Sequence, residues 1–314
     1  MKRSIRFLSL LAALLFVSVI HVWADAKDFS IVVLPDPQHY ASKHYEIGLA
    51  QTEWIADNID KLQIKFVVTV GDNVDAGYSD SQYTNSTSFM NKLNGLVPYG
   101  IACGNHDLKD TKKGSYTCRK FVDYYGPKVF EKYPWYGGAS QSGFSSYQTF
   151  TGGGFKFIAL ELAVAAPQTE IKWAKQVMAN NPHTPVILTT HQMLQPDGKL
   201  SKKTAVPGPD RQSPIDVWNQ LIEPSSQIFL VLSGHYHGEA HLTKTTHKGQ
   251  SVQVVLQDYQ DEPNGGNGWL RIFTFKPDQN KIDVQTYSPS LKEYKQNPSS
   301  EFNLTVDFRR LVKR

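Results

Sequence analysis

Five short apolar runs in this chain each stop at a carboxylate, an amide or a histidine. That repetition constrains the fold more than any other feature. Ile31-Val32-Val33-Leu34 runs into Pro35-Asp36-Pro37-Gln38-His39. Phe66-Val67-Val68-Thr69-Val70 runs into Gly71-Asp72-Asn73-Val74-Asp75, and Tyr99–Ala102 is followed by Gly104-Asn105-His106-Asp107. Val186–Thr190 ends at His191, and Phe229–Ser233 ends in Gly234-His235-Tyr236-His237. Apolar runs this short, bounded by Gly and Pro, read as buried strands. Helical spacing separates several of them. It is clearest at 44–63 (Ile47, Ala50, Trp54, Ile55, Ile59, Leu62) and at 169–180 (Ile171, Trp173, Ala174, Val177), and the polar stretch 79–94 also reads as helix. Phe155–Leu162 is a further strand. Strands alternating with helices predict an α/β fold with parallel pairing. In such sheets the residues just past the strands gather on one carboxyl edge.

The pattern changes after 238. Segments 239–247, 251–258, 269–275 and 281–287 read as strands at hairpin spacing, with no helix between them. No repeat or long linker marks a boundary, so one domain is expected over 25–290. The polar, basic stretch 291–314 is expected to be a peripheral tail. Gly137-Gly138, Gly143 and Gly152–Gly154 read as turns.

Residues 1–24 carry Lys2, Arg3 and Arg6, an apolar run from Phe7 to Ile20, and small residues before Asp25. This is the pattern of a secretory signal peptide. An uncut membrane anchor is the alternative, although the run is short for a span of about 20 residues. Cleavage would place the protein outside the cytoplasm, secreted or periplasmic, with no stable membrane span. The chain has 33 basic and 29 acidic residues. Without the three leader cations the balance is 30 against 29, which removes the global attraction a nucleic-acid-binding protein needs. Export also admits a bridge between Cys103 and Cys118, with two buried thiols as the alternative. Oligomeric state is left open by the sequence.

The rim chemistry follows from ligand type. Carboxylates, an amide oxygen and imidazoles without thiolates suit divalent Mn, Zn, Fe or Ni, and argue against a closed structural zinc site. One Asp shared by two ions gives the arrangement used for in-line displacement at phosphorus, in which a metal-bound hydroxide attacks. The Gly-His-x-His segment is the most specific piece, because alternate residues of an extended chain point the same way.

The order Asp36, Gly71-Asp72-x-x-Asp75, Gly104-Asn105-His106-Asp107, His191, Gly234-His235-x-His237 resembles the calcineurin-like metallophosphoesterase superfamily across about 30–240. Leu34-Pro35-Asp36-Pro37-Gln38 with Trp54-Ile55, Tyr259-Gln260, the stretch Asn264–Arg271, and Thr286-Tyr287-Ser288-Pro289 resemble a secreted bacterial-type branch of it. The resemblance implies a four-layer α/β/β/α sandwich with a dinuclear metal centre that hydrolyses small phosphate mono- or diesters. It implies that Asp72 bridges the ions, that Asp36 and His237 hold the first, and that Asn105, His191 and His235 hold the second. His106 would face the substrate, Asp107 would orient His106, and Asp75 would support by hydrogen bonding. The usual Asp-x-His first motif is Asp-x-Gln here. Either Gln38 binds through its amide oxygen or His39 reaches in; strand alternation favours Gln38. A rival reading is an exported binding or adhesion protein of this fold without turnover.

The loop 195–214 carries Lys199, Lys202, Lys203 and Arg211. It is expected either to be a mobile, phosphate-attracting lid or to be a plain solvated loop. Lys109, Lys112, Lys113 and Arg119 are further candidates for positive field near His106.

Overall fold

A computed structural model describes residues 27–110 and 116–312. The leader, Lys112 and Lys113 lie outside the described residues. Among the described residues, fourteen strands form two seven-stranded mixed sheets. The first sheet contains β1 (Phe29–Leu34), β2 (Ile64–Thr69) and β3 (Tyr99–Ile101). The second begins with β4 (Tyr136–Ala139), β5 (Ser146–Gly152), β6 (Phe155–Leu162), β7 (Val186–Thr190) and β8 (Ile228–Ser233), and continues with β9 (Gly238–Thr245) and β10 (Ser251–Asp258). The chain then returns to the first sheet with β11 (Leu270–Lys276), β12 (Lys281–Ser288), β13 (Glu293–Tyr294) and β14 (Phe302–Thr305). The orders are β13-β12-β11-β1-β2-β3, with β14 beside β12, and β4-β5-β6-β7-β8-β10-β9. Pairing is parallel through β1-β2-β3 and through β6-β7-β8-β10. All five motif-bearing strand ends therefore reach the same rim.

Strand alternation assigns the layers. Along β1, Phe29, Ile31 and Val33 enter a core that also holds Phe157, Phe229, Phe273 and Phe275 from both sheets. Val32 and Leu34 face the other way, towards α1 (Gln38–Ser42), α2 (Tyr45–Asn58) and α3 (Asp80–Met90). The outer face of the second sheet packs on the helix Gln168–Asn180 through Ile171, Ala174 and Val177. The expected α/β/β/α sandwich is the observed architecture.

Three expectations need correction. The glycine-marked segment at 136–152 holds two strands, β4 and β5, as well as turns; Gly137 lies where a Cβ would strike the Tyr147 ring at 2.1 Å, so the strand pair tolerates only glycine there. The tail is not peripheral. β14 pairs with β12, and Leu304, Val306, Phe308 and Leu311 are buried in the core between the sheets. Its apolar residues are spaced among charges, which hides them from a run-based reading. Phe308→Ala is expected to cost about 3–5 kcal/mol in urea unfolding, the range for a core aromatic truncation. A cost below 1 kcal/mol would return the tail to the surface. Finally, Cys103 and Cys118 are two buried thiols rather than a bridge. Cys118 Sγ donates to Gly77 O at 2.9 Å, and Cys103 Sγ faces Gly104 O.

Glu161 on β6 is fully buried against β3, where a Cβ on Gly100 would meet its carboxyl at 2.2 Å. Burial pushes its pKa from 4.5 to about 8. Its contribution to stability is fully present below pH 4.5 and is lost as the pH rises through about 8. Glu161→Gln is expected to flatten the fall in melting temperature across that window. A wild-type melting temperature equally flat there would show Glu161 ionised in the fold.

Candidate metal centre

Asp36 and Asp72 follow β1 and β2 in a backbone conformation that L-residues rarely adopt, with φ of 32° and 50°. His235 after β8 does the same at 69°. Each such residue costs about 1–3 kcal/mol and persists only where its surroundings hold it. Close approach is obtained at the neighbouring glycines. A Cβ on Gly234 would sit 2.0 Å from Asp36 Oδ2, and one on Gly104 would sit 2.1 Å from Asp72 Oδ1.

These turns bring Asp36, Asp72 and His191 into one buried group, with a ligand atom from each lying within 4.8 Å of the others. His191 Nδ1 lies 3.0 Å from Val70 O, which leaves Nε2 facing Asp72 Oδ2 at 3.2 Å and Asn105 Oδ1 at 3.1 Å. The His235 backbone N–H donates to Asp36 Oδ1, and its ring stands edge-on to His191 at 5.1 Å. Burial and then the neighbouring His191 lower the His235 pKa to about 3, keeping it a neutral donor of a lone pair. Burial, with the Asp258 and Asp72 carboxylates next, pushes Asp36 well above the usual range. Burial also works to raise Asp72, but His191 outweighs it and holds that carboxyl below its ordinary value.

Among the described residues, Asp36 Oδ2 and Gln38 Oε1 are buried with no hydrogen-bond donor. An acceptor left in this state costs about 1–3 kcal/mol. Two carboxylates and an imidazole in one buried group, with a second, neutral imidazole at His235 and a buried amide oxygen on Gln38, fit divalent cations. Gln38 opens α1 and is 3 % exposed, whereas His39 is half-buried and packs at Gly265. Gln38 is thus the buried one of the pair, and the first turn of a helix separates it from His39, not strand alternation.

His237 stands apart. Its side chain is 45 % exposed and pairs with Asp261 and Gln260 on the rim. The expected role of Asp107 also changes. Its carboxylate accepts Gly104 N at 2.8 Å, Asn73 N at 3.0 Å and Asn73 Nδ2 at 2.9 Å. It buckles the two ligand loops together and does not orient the His106 ring. Asp75 does that: His106 Nδ1 lies 2.7 Å from Asp75 O and 3.3 Å from Asp75 Oδ1. Burial disfavours the charged imidazole, but Asp75 and then Asp72 outweigh it and raise the His106 pKa to about 9.

Lys109 Nζ lies 3.4 Å from His106 Nδ1, while Arg119 donates to Ser142 O and covers the Phe144 ring, turned elsewhere. The 195–214 loop is pinned, which corrects the mobile lid. Ser201 Oγ meets Tyr236 OH at 2.7 Å, Ala205 N donates to Gln192 Oε1, and Val206 is buried. Lys202 and Lys203 face solvent, and Lys199 pairs with Asp197.

Two residues at the centre escaped the sequence reading. Asn73 clamps Asp107, and its Nδ2 also donates to Ala102 O. Asp258 is buried at the end of β10, which runs parallel to β8. Gln253 and Gln257 break up the run before Asp258, and the hairpin of β9 and β10 gave no sign that β10 also runs parallel to β8.

The comparisons agree with this geometry. A curated relative, the uncharacterized protein YvnB of Bacillus subtilis (strain 168), is 32 % identical over 305 residues, covering 92 % of this chain. The chain spans only 22 % of that relative's length. Among solved structures, purple acid phosphatase PPD1 from yellow lupin superposes with a TM-score of 0.58 at 12 % identity, covering 92 % of this chain and 56 % of that one. GAP50, described as the anchor in the inner membrane complex of Plasmodium, superposes with a TM-score of 0.52 at 13 % identity, covering 89 % of each chain. At these identities the two structures speak for the fold. The calcineurin-like phosphoesterase model matches residues 29–239, from the first strand to just past His237. That span holds every motif on the rim and two thirds of the sequence, so the chain belongs to the calcineurin-like phosphoesterase family.

Proposed function

We propose that this chain is an exported hydrolase of small phosphate mono- or diesters that works with two divalent ions. Family membership supports a metal-dependent phosphoesterase in general terms. The observation that carries the reading here is the buried Asp36–Asp72–His191 group, together with the donorless oxygens of Asp36 and Gln38. Asp72 would serve both ions; Asp36, Gln38 and His237 would serve one, and Asn105, His191 and His235 the other. Bound there, the ions supply Lewis-acid stabilisation of the phosphoryl oxygens and a nucleophile available at neutral pH.

The remaining work falls to the chain. His106 Nδ1 is engaged by Asp75, so Nε2 is the nitrogen left for a phosphoryl oxygen or the leaving oxygen. Lys109 adds positive charge beside it. Asp107 and Asn73 hold the two ligand loops at a fixed separation. The export half of the proposal rests on the leader at 1–24.

The test is hydrolysis of an aryl phosphate monoester and diester before chelation, after it, and after re-addition of Mn, Zn, Fe or Ni. Activity should vanish with chelation and return with metal. Metal binding with no turnover on either ester would favour the rival, a binding protein of this fold, the kind of role that the description of GAP50 as an anchor names.

A further inference from the structure

β10 ends on the same rim as the five motif strands, and the four residues from Asp258 reach back to His237. Three contacts define that reach. The Gln260 backbone N–H donates to Asp258 Oδ1 at 3.0 Å, and Gln260 Nε2 points to Asp258 Oδ2 at 3.4 Å. The same amide nitrogen lies 2.6 Å from His237 Nε2. The Asp261 carboxylate pairs with His237 Nδ1.

These contacts determine one another. A carboxylate only accepts, so Asp258 requires the nitrogen of the Gln260 amide on its side. An amide nitrogen only donates, so His237 Nε2, facing it, must be the ring's acceptor. The ring proton then sits on Nδ1 and is donated to Asp261. The other half of the amide, Gln260 Oε1, is buried with no donor among the described residues. The contact that occupies the His237 lone pair is therefore bought at the expense of a stranded carbonyl.

We propose that Asp261 is a positioning residue that fixes the tautomer of His237, and that Gln260 holds the Nε2 lone pair until an ion displaces it. A carboxylate accepting the second ring N–H is the arrangement that orients histidine ligands and raises their basicity. Displacement also frees Gln260 Oε1 to reach solvent. The outward stance of His237 is then the resting position of a ligand whose lone pair is already selected. This inference rests on the metal-centre reading.

The experiment uses the full chain, stripped with a chelator and labelled with 15N-histidine. Two-bond 1H–15N spectra, with His237 assigned by its loss in His237→Gln, report the tautomer, and Zn2+ titration against a chromophoric chelator reports affinity. Wild type should show the Nδ1–H tautomer. Asp261→Ala should move His237 towards Nε2–H and weaken one Zn2+ site about 10–100-fold while leaving the other unchanged; Asp261→Glu should restore both. Gln260→Ala should tighten that same site. Asp261 is exposed, and matched melting curves confirm that its variants fold. A wild-type His237 that is Nε2–H or doubly protonated at neutral pH overturns the proposal, as does an Asp261→Ala variant with unchanged affinity at both sites. A fall or no change in Gln260→Ala removes the part given to Gln260. Wild type that binds no Zn2+ defeats the metal-centre reading itself, a different outcome from wild type and Asp261→Ala binding alike.

Discussion

Asp72→Asn is expected to lower kcat at least about 10³-fold while leaving the fold intact, because it removes the carboxylate proposed to serve both ions. Its Oδ2 faces His191 and its Oδ1 accepts the His106 backbone N–H. Asn keeps the shape, and its oxygen can still accept from His106. The negative charge is what is lost, and with it the attraction for a second cation. Stability should fall, since the charge that His191 favours in the fold is lost and the buried imidazole keeps only a neutral partner. The measurement is kcat on an aryl phosphate together with a melting curve at saturating metal. Near-normal turnover in the metal-loaded variant would remove Asp72 from the centre.

His106→Ala is expected to lower kcat by about 10²–10⁴-fold, the range for a lost proton-transfer or charge-stabilising side chain, with metal affinity unchanged. Two features make that separation possible. The His106 backbone holds Asp72 through its N–H, which alanine keeps, while the ring is oriented by Asp75 and is only 23 % exposed on the rim. Asp75→Asn should have a smaller effect, about 10-fold, because the Asp75 carbonyl still accepts from the ring at 2.7 Å. Asp107→Asn should behave differently from both. It leaves the ring untouched but disturbs two hydrogen bonds between the ligand loops and one within the 104–107 loop, so its cost appears mainly in stability. If Asp107→Asn lowered kcat as His106→Ala does with an unchanged melting curve, Asp107 would be the orienting residue after all.

The core of the site was legible because the strands around it are buried on both faces. Such strands must be nearly pure runs of Val, Ile, Leu and Phe, so the first polar residue after each run stands out. Asp36, Asp72, Asn105, His191 and His235 were found in this way, and the structure brings them together. Residues whose identity depends on contacts across the sheet were not legible. Asp75 and Asp107 are both acids a few residues past a glycine, and only the fold shows which one meets the His106 ring. Asp258 follows a run interrupted by Gln253 and closed by Gln257, so it is not the first polar residue past the run, and the hairpin spacing around it pointed to a β meander instead of a parallel neighbour of β8. The tail strand β14 is short and sits among charges, and its burial comes from pairing with β12 rather than from any pattern of its own. The thiols at Cys103 and Cys118 read slightly better as a bridge, and spacing says nothing of where each Sγ points.

The central claim is that two divalent ions occupy the rim and that hydrolysis depends on both. Isothermal titration of the chelated protein with Mn2+ or Zn2+, with aryl phosphate hydrolysis followed at each addition, tests it most directly. The account predicts two ions bound per chain and turnover that rises only as the second site fills. No stoichiometric binding, or turnover that survives complete removal of metal, would contradict it.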